Sequence, residues 1–165
     1  LDHEGGFVND PDDPGGATNK GITFSTFEKH AKGVLGLEPT LTNLKELTNS
    51  QAKVIYKSRY WNKMRGDDFT HQDLANIVFD FFVNAGYNGT KVLQEVLNSM
   101  GEKLAVDGIV GPNTIKVLNS KKQVEVYRKF KQARIDYYEK LAAKNSKMKK
   151  FLKGWLNRVN SFPEL

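Results

Sequence analysis

Cysteine is absent from the 165 residues. That excludes disulfides, thiolate zinc sites and a cysteine nucleophile together, so stability must come from packing. Histidine is scarce as well: His3, His30 and His71 stand apart, with no H-E-x-x-H run and no i, i+4 pair, and a metal site built on imidazole is not expected. No window approaches the roughly 20 apolar residues of a membrane span, and stable membrane insertion is not expected. No apolar h-region opens the chain, so these residues include no classical signal peptide; the chain starts at Leu1 rather than Met, which leaves export open. There is no 20- to 50-residue repeat and no low-complexity linker.

What is present suits one compact globular chain, with 39% hydrophobic and 27% charged residues and ten Phe, six Tyr and two Trp to fill a core. The net charge of +6 is uneven. Five acids (Asp2, Glu4, Asp10, Asp12, Asp13) precede the first lysine at position 20, whereas residues 121–158 hold thirteen Lys or Arg against three acids. Such a basic run is either a solvated helix face or a surface that concentrates polyanions, among them nucleic acid and bacterial wall polymers.

Residues 5–23 are rich in Gly, Asp, Asn and Pro and read as a loop or short hairpin. Helical signals follow. Ser25-x-x-Glu28 reads as a capping box opening a helix over 25–32 that Gly33 ends, and a short helix is expected near 42–47. Thr48-x-x-Gln51 opens a helix over 49–61 with Val54, Ile55, Ser58 and Trp61 on one face. Asp73 is expected to cap the next, whose stripe of Leu74, Ile77, Val78, Phe81 and Phe82 marks a central buried helix ending near Gly86. Further helices are expected over 89–100, over 112–119 with Pro112 at its first position, over 121–144 with only the stem of Arg134 buried, and from a cap at Asn145 or Ser146 through Val159. The fold class is mainly α, a helical bundle with a small N-terminal loop or β-hairpin lobe. Residues 1–70 are expected to form the N-terminal lobe and 71–165 the helical C-terminal lobe, packed as one unit.

Glycosidic cleavage needs a carboxylic acid that holds its proton, and a second group that positions water or stabilises positive charge at the anomeric carbon. Glu4 suits the first role if a helix runs into it and Gly5 or Gly6 ends that helix in the left-handed conformation. The carboxyl would then sit at the negative end of the helix dipole. The alternative is an exposed glutamate before a flexible glycine pair. Asp13 and Thr18 follow on a Gly-rich loop able to fold back over Glu4 and present a carboxylate and a hydroxyl to water. Asp10-x-Asp12-x-x-Gly15 imitates the start of an EF-hand loop, but Gly21 stands at the twelfth position, where a bidentate Glu is required, so no calcium is expected.

The twenty positions Glu4-Gly5-Gly6-Phe7-Val8-Asn9-Asp10-Pro11-Asp12-Asp13-Pro14-Gly15-Gly16-Ala17-Thr18-Asn19-Lys20-Gly21-Ile22-Thr23 closely resemble the signature of glycoside hydrolase family 108, lysozyme-like N-acetylmuramidases of phages and bacteria. Residues 79–86, Leu93-Gln94, Asp107–Thr114, Arg134 with Tyr137-Tyr138, and residues 154–158 resemble the peptidoglycan-binding domain that accompanies it. The resemblance implies a lysozyme-like fold, with Glu4 as catalytic acid and a helix leading into it. Phage-type lysozymes of the superfamily follow the Glu with an Asp and then a Thr; Asp13 keeps that spacing, and Thr18 comes one residue early. Asp80 and Asn84 share a helix face, where they either brace the N-terminal loop or contact sugar. Asn84 and Tyr87 suit N-acetyl and hydroxyl recognition in a cleft. Trp61 and Trp155 read as core residues rather than sugar platforms, and Asp107 as the brace of its own turn.

The resemblance thus implies an endolysin-like peptidoglycan hydrolase that cuts MurNAc-(β1,4)-GlcNAc bonds without cofactor or metal, as a monomer, in the periplasm or cell wall. A lytic transglycosylase on the same substrate and a noncatalytic wall-binding module are the alternatives. Nucleic-acid binding through residues 121–158 is not expected, because no helix-turn-helix or aromatic RNA-binding signature accompanies the charge.

Overall fold

The computed structural model of the chain describes residue 1, residues 4–11 and residues 16–165. They divide into two units, Leu1–Arg59 and Tyr60–Leu165. Residues 60–70, grouped by the sequence with the first lobe, fall in the second unit.

The first unit starts from a hairpin. Strands β1 (Thr18–Asn19) and β2 (Ile22–Thr23) pair antiparallel with Asn19 opposite Ile22, so Lys20 and Gly21 form a two-residue loop. Both loop residues have positive φ, 53° and 76°, as a type I′ turn between twisted strands requires. Val8 bridges to Thr18 and extends the ladder. Helix α1 (Phe24–His30) follows at once. Its N-cap is Thr23, whose hydroxyl accepts from Thr26 N, in place of the expected Ser25 box. The cap has to be the last extended residue before the first turn, and that residue is the end of β2. Gly33 does not end the helix either. A π-helical turn (Ala31–Leu35) carries past it to Gly36, whose φ of 68° makes the left-handed stop.

Helix α2 (Leu41–Lys45) is capped by Thr40, and α3 (Asn49–Tyr56) by the reciprocal Thr48/Gln51 box that its sequence announces. A π-helical turn, Lys57–Trp61, continues α3. The buried stripe of α3 is Ala52 and Ile55, with Tyr56 packed beside them; Val54, expected on that face, lies two residues past Ala52 on nearly the opposite side and is exposed. Ala17, Ile22, Phe27, Ala31, Leu44 and Leu47 complete this core.

The second unit is helical: α4 (Gln72–Ala85), α5 (Tyr87–Ser99), α6 (Pro112–Asn119), α7 (Gln123–Lys144) and α8 (Lys149–Asn160). His71 caps α4, Nδ1 accepting from Leu74 N at 3.3 Å, rather than Asp73. His71 has the extended backbone that a cap needs, and Asp73 lies inside the first turn, where its charge meets the positive end of the dipole. Gly86 separates α4 from α5, and Pro112 opens α6. Phe81 is fully buried, with its ring edge-on to Phe130, Tyr137 and Tyr138. Among the described residues, no helix is long and apolar enough to cross a membrane.

Arg134 departs most from expectation. The whole side chain is buried, head group included, rather than its stem alone. A guanidinium can enter a core only where its donors are met. Here Nη2 donates to Asp80 Oδ2 at 2.6 Å and Nε to the Tyr138 oxygen at 3.2 Å, and the plane lies 4.8 Å from the Phe81 ring centre. The rest of the basic run divides. Lys131 is also buried and pairs with Glu164, while Lys140, Lys144, Lys147, Lys149, Lys150 and Lys153 are exposed.

Candidate active site

The Glu4 N–H donates to Leu1 O at 3.0 Å, and the residue is half-buried. The expected glycine stop is not formed, since neither Gly5 nor Gly6 has positive φ; both are exposed, and among the described residues nothing stands within 4 Å of where a Cβ would be. What seats the carboxylate is Gly21. A Cβ built on Gly21 would lie inside 3.0 Å of Glu4 Oε2, of Glu4 Cδ and of the Tyr56 hydroxyl. The carboxylate and the phenol therefore flank the same bare face of the hairpin loop. Glycine is required there twice over, for its φ and for its missing side chain.

Each partner is held from elsewhere in the unit. The Tyr56 hydroxyl donates to Lys20 O at 2.7 Å, which pins the turn to the last residue of α3. Asn19, 3% exposed, donates through Nδ2 to Leu44 O at 2.9 Å and Lys45 O at 3.1 Å, tying the hairpin to the end of α2. Arg59 donates to the Thr26 hydroxyl at 2.6 Å. Thr18 is half-buried on β1, its backbone paired with Val8. Asp13, like Asp12, lies outside the described residues. A surface concavity of about 430 Å³ on this unit is lined by Asn9, Gly16, Ala17, Phe24, Ser25, Glu28 and Leu41.

The other expected site residues lie in the second unit. Asp80 is an internal counter-ion, receiving Arg134 on Oδ2 and Arg158 on both oxygens. Burial works against its charge, but the Arg158 hydrogen bonds and the two guanidinium charges outweigh it and hold the carboxyl below its ordinary value. Asn84 is exposed at the end of α4, with Oδ1 receiving the Tyr138 hydroxyl at 2.6 Å. Tyr87 opens α5 with its residue 52% exposed and its ring 5.5 Å from Phe82.

Asp107 braces its turn. Its Oδ1 accepts from Ile109 N at 2.9 Å and from Gln94 Nε2 at 3.0 Å, and these bonds, Gln94 first, hold the carboxyl below its ordinary value. Trp61 lies over Gly66 and donates to Asp67 at 2.8 Å, and Trp155 stacks on Tyr138 at 5.1 Å; both are half-buried.

Sequence reasoning missed Tyr56 and the seat at Gly21. A Lys-Gly pair between two short β-prone runs was the available signal for the turn, and a tyrosine one helical turn after Ala52 needs a partner for its hydroxyl. It also missed the Arg134–Tyr138–Arg158 cluster around Asp80, for which the available signal was Arg134 among the apolar positions of α7.

The family model described as Glycosyl hydrolase 108 matches residues 1–86, and that described as Predicted Peptidoglycan domain matches residues 88–160. The solved structure of Brucella abortus SagA is similar, with a TM-score of 0.74 and 30% identity over 98% of this chain and 85% of that one. No curated protein matches the chain. The fold is accordingly mainly α and lysozyme-like. The chain belongs to glycosyl hydrolase family 108, and at the level of its families it is a glycoside hydrolase that acts on peptidoglycan.

Proposed function

We propose that the chain is an N-acetylmuramidase that cuts the MurNAc-(β1,4)-GlcNAc bond with Glu4 as general acid. The observation that supports it best is the seat of Glu4, a half-buried carboxylate against the bare face of Gly21, with Tyr56 alongside, inside the segment matched by the hydrolase family. The Tyr56 hydroxyl donates to Lys20 O, which holds the phenol beside the carboxylate, and in this reading Glu4 is the group that gives a proton to the glycosidic oxygen.

As the proton moves, the C1–O bond breaks, the leaving sugar departs as an alcohol, and positive charge develops at C1 and the ring oxygen. A second group then has to bring water or stabilise that charge; Asp13 and Thr18 are the candidates. Asn84 and Tyr87 serve as sugar contacts, with Asp80 holding its neighbours in place. The exposed lysines between Lys140 and Lys153 hold the chain against anionic wall polymers, which puts the site of action at the cell wall.

Mass spectrometry of digested sacculi tests the bond. Reducing MurNAc ends are expected. Reducing GlcNAc ends would make the enzyme a glucosaminidase, anhydro-MurNAc ends a transglycosylase, and retention on sacculi without new ends a binding module.

A further inference from the structure

The end of α4 carries a polar chain whose hydrogen-bond directions follow from the groups themselves. Arg134 can only donate, and it gives Nη2 to Asp80 and Nε to the Tyr138 oxygen. Tyr138, 1% exposed, therefore accepts from Arg134 and has one proton left to give, which goes to Asn84 Oδ1. Burial raises the phenol above its ordinary value despite the opposing charge of Arg134, so that proton stays in place. An amide whose oxygen is committed in this way keeps its NH2 as the free end. Asn84 is exposed, and among the described residues Nδ2 has no partner. Three residues on, past the Gly86 turn, stands the half-exposed ring of Tyr87.

We infer that the chain Asp80–Arg134–Tyr138 locks the Asn84 amide as an outward donor, which recognises the carbonyl oxygen of an N-acetyl group on the glycan. The inference rests on the peptidoglycan reading and extends it: Asn84 contacts the sugar, and Tyr138, Arg134 and Asp80 are positioning residues. An unlocked amide could turn either end outward and would select neither donor nor acceptor. A locked one presents its NH2 outward and favours a ligand group that accepts. An N-acetyl group next to an exposed aromatic ring meets that requirement with its carbonyl, while its methyl and the sugar face suit the ring.

Co-sedimentation with purified sacculi is the test. In Asn84→Asp the carboxylate still accepts from Tyr138, so the fold keeps its bond while the donor is lost and one negative charge is gained. Binding is expected to weaken about tenfold, the worth of one hydrogen bond. Asn76→Asp, the same charge change at another exposed position of α4, should stay within about twofold of wild type on the same reasoning. Tyr138→Phe frees the amide and should weaken binding by less than Asn84→Asp does.

The acceptor is tested by NMR of the wild-type chain with soluble glycan strands. The Asn84 side-chain NH2 resonances should move with N-acetylated strands and stay still with de-N-acetylated ones. Equal binding by wild type and Asn84→Asp would overturn the donor assignment alone. Movement with both kinds of strand would transfer the contact to a hydroxyl and overturn the N-acetyl assignment. Failure of the wild type to bind sacculi at all would remove the wall reading and this inference with it.

Discussion

Replacing Gly21 by alanine tests the seat of Glu4, because a single methyl group acts there in two separable ways. The first is strain: a φ of 76° in an L-residue costs about 1–2 kcal/mol. For a chain of this length that lowers Tm by about 2–8 °C, at 2–4 °C per kcal/mol. The second is displacement. The new Cβ would overlap ordinary contact distance to Glu4 Oε2 by roughly 1 Å, and a shift of that size in a catalytic group costs about 100-fold in rate.

Gly16 provides the control, since its φ is 72° and, among the described residues, nothing stands within 4 Å of where its Cβ would be. Gly16→Ala should therefore suffer the strain without moving Glu4. Both variants are expected to lose similar stability in thermal melts, and only Gly21→Ala to lose most of its release of reducing ends from sacculi at a temperature where both are folded. If the two variants lost activity equally, the seat would have no bearing on catalysis and the reasoning from Gly21 to Glu4 would be refuted.

Asp80→Asn should be far more disruptive, because it leaves the fully buried Arg134 without its counter-charge; a loss of about 3–5 kcal/mol is expected by denaturant unfolding. The same carboxyl predicts an acid-sensitive fold. Its folded pKa lies below the unfolded value of 3.8, so its contribution is fully present above that pH and is lost as the pH falls through the folded value. Stability measured from pH 6 down to pH 2 should drop more steeply in wild type than in Asp80→Asn. Thr48→Ala removes one half of the capping box of α3 and should cost about 1 kcal/mol, read as a shift of the unfolding midpoint without loss of hydrolysis.

Elements marked by local chemistry were legible in the sequence. The Thr48/Gln51 box, Pro112 at its first position and the stripe of α4 each specify a helix within a few residues, and the structure has all three. Boundaries set by a neighbouring element were not. Thr23 caps α1 because β2 ends there, and Ser25, the better sequence match, is already inside the helix.

The site divides along the same line. Glu4 stands out because a motif surrounds it, whereas Tyr56 lies 52 positions away on another element and carries no local mark. The burial of Arg134 was hidden for a similar reason. Its donors are satisfied by Asp80 and Tyr138, and only the packing of α4 against α7 brings Asp80 to it. A lone arginine on an apolar stripe otherwise reads as a side chain that snorkels to water.

The most direct measurement is the rate at which new reducing ends appear in purified sacculi treated with wild type and with Glu4→Gln, at matched concentration and equal thermal stability. The amide fills the same space and has no acidic proton to give. A fall of about 100- to 10,000-fold is expected, the range that general acid catalysis contributes. Equal rates would contradict the account and move the proton donor to another residue.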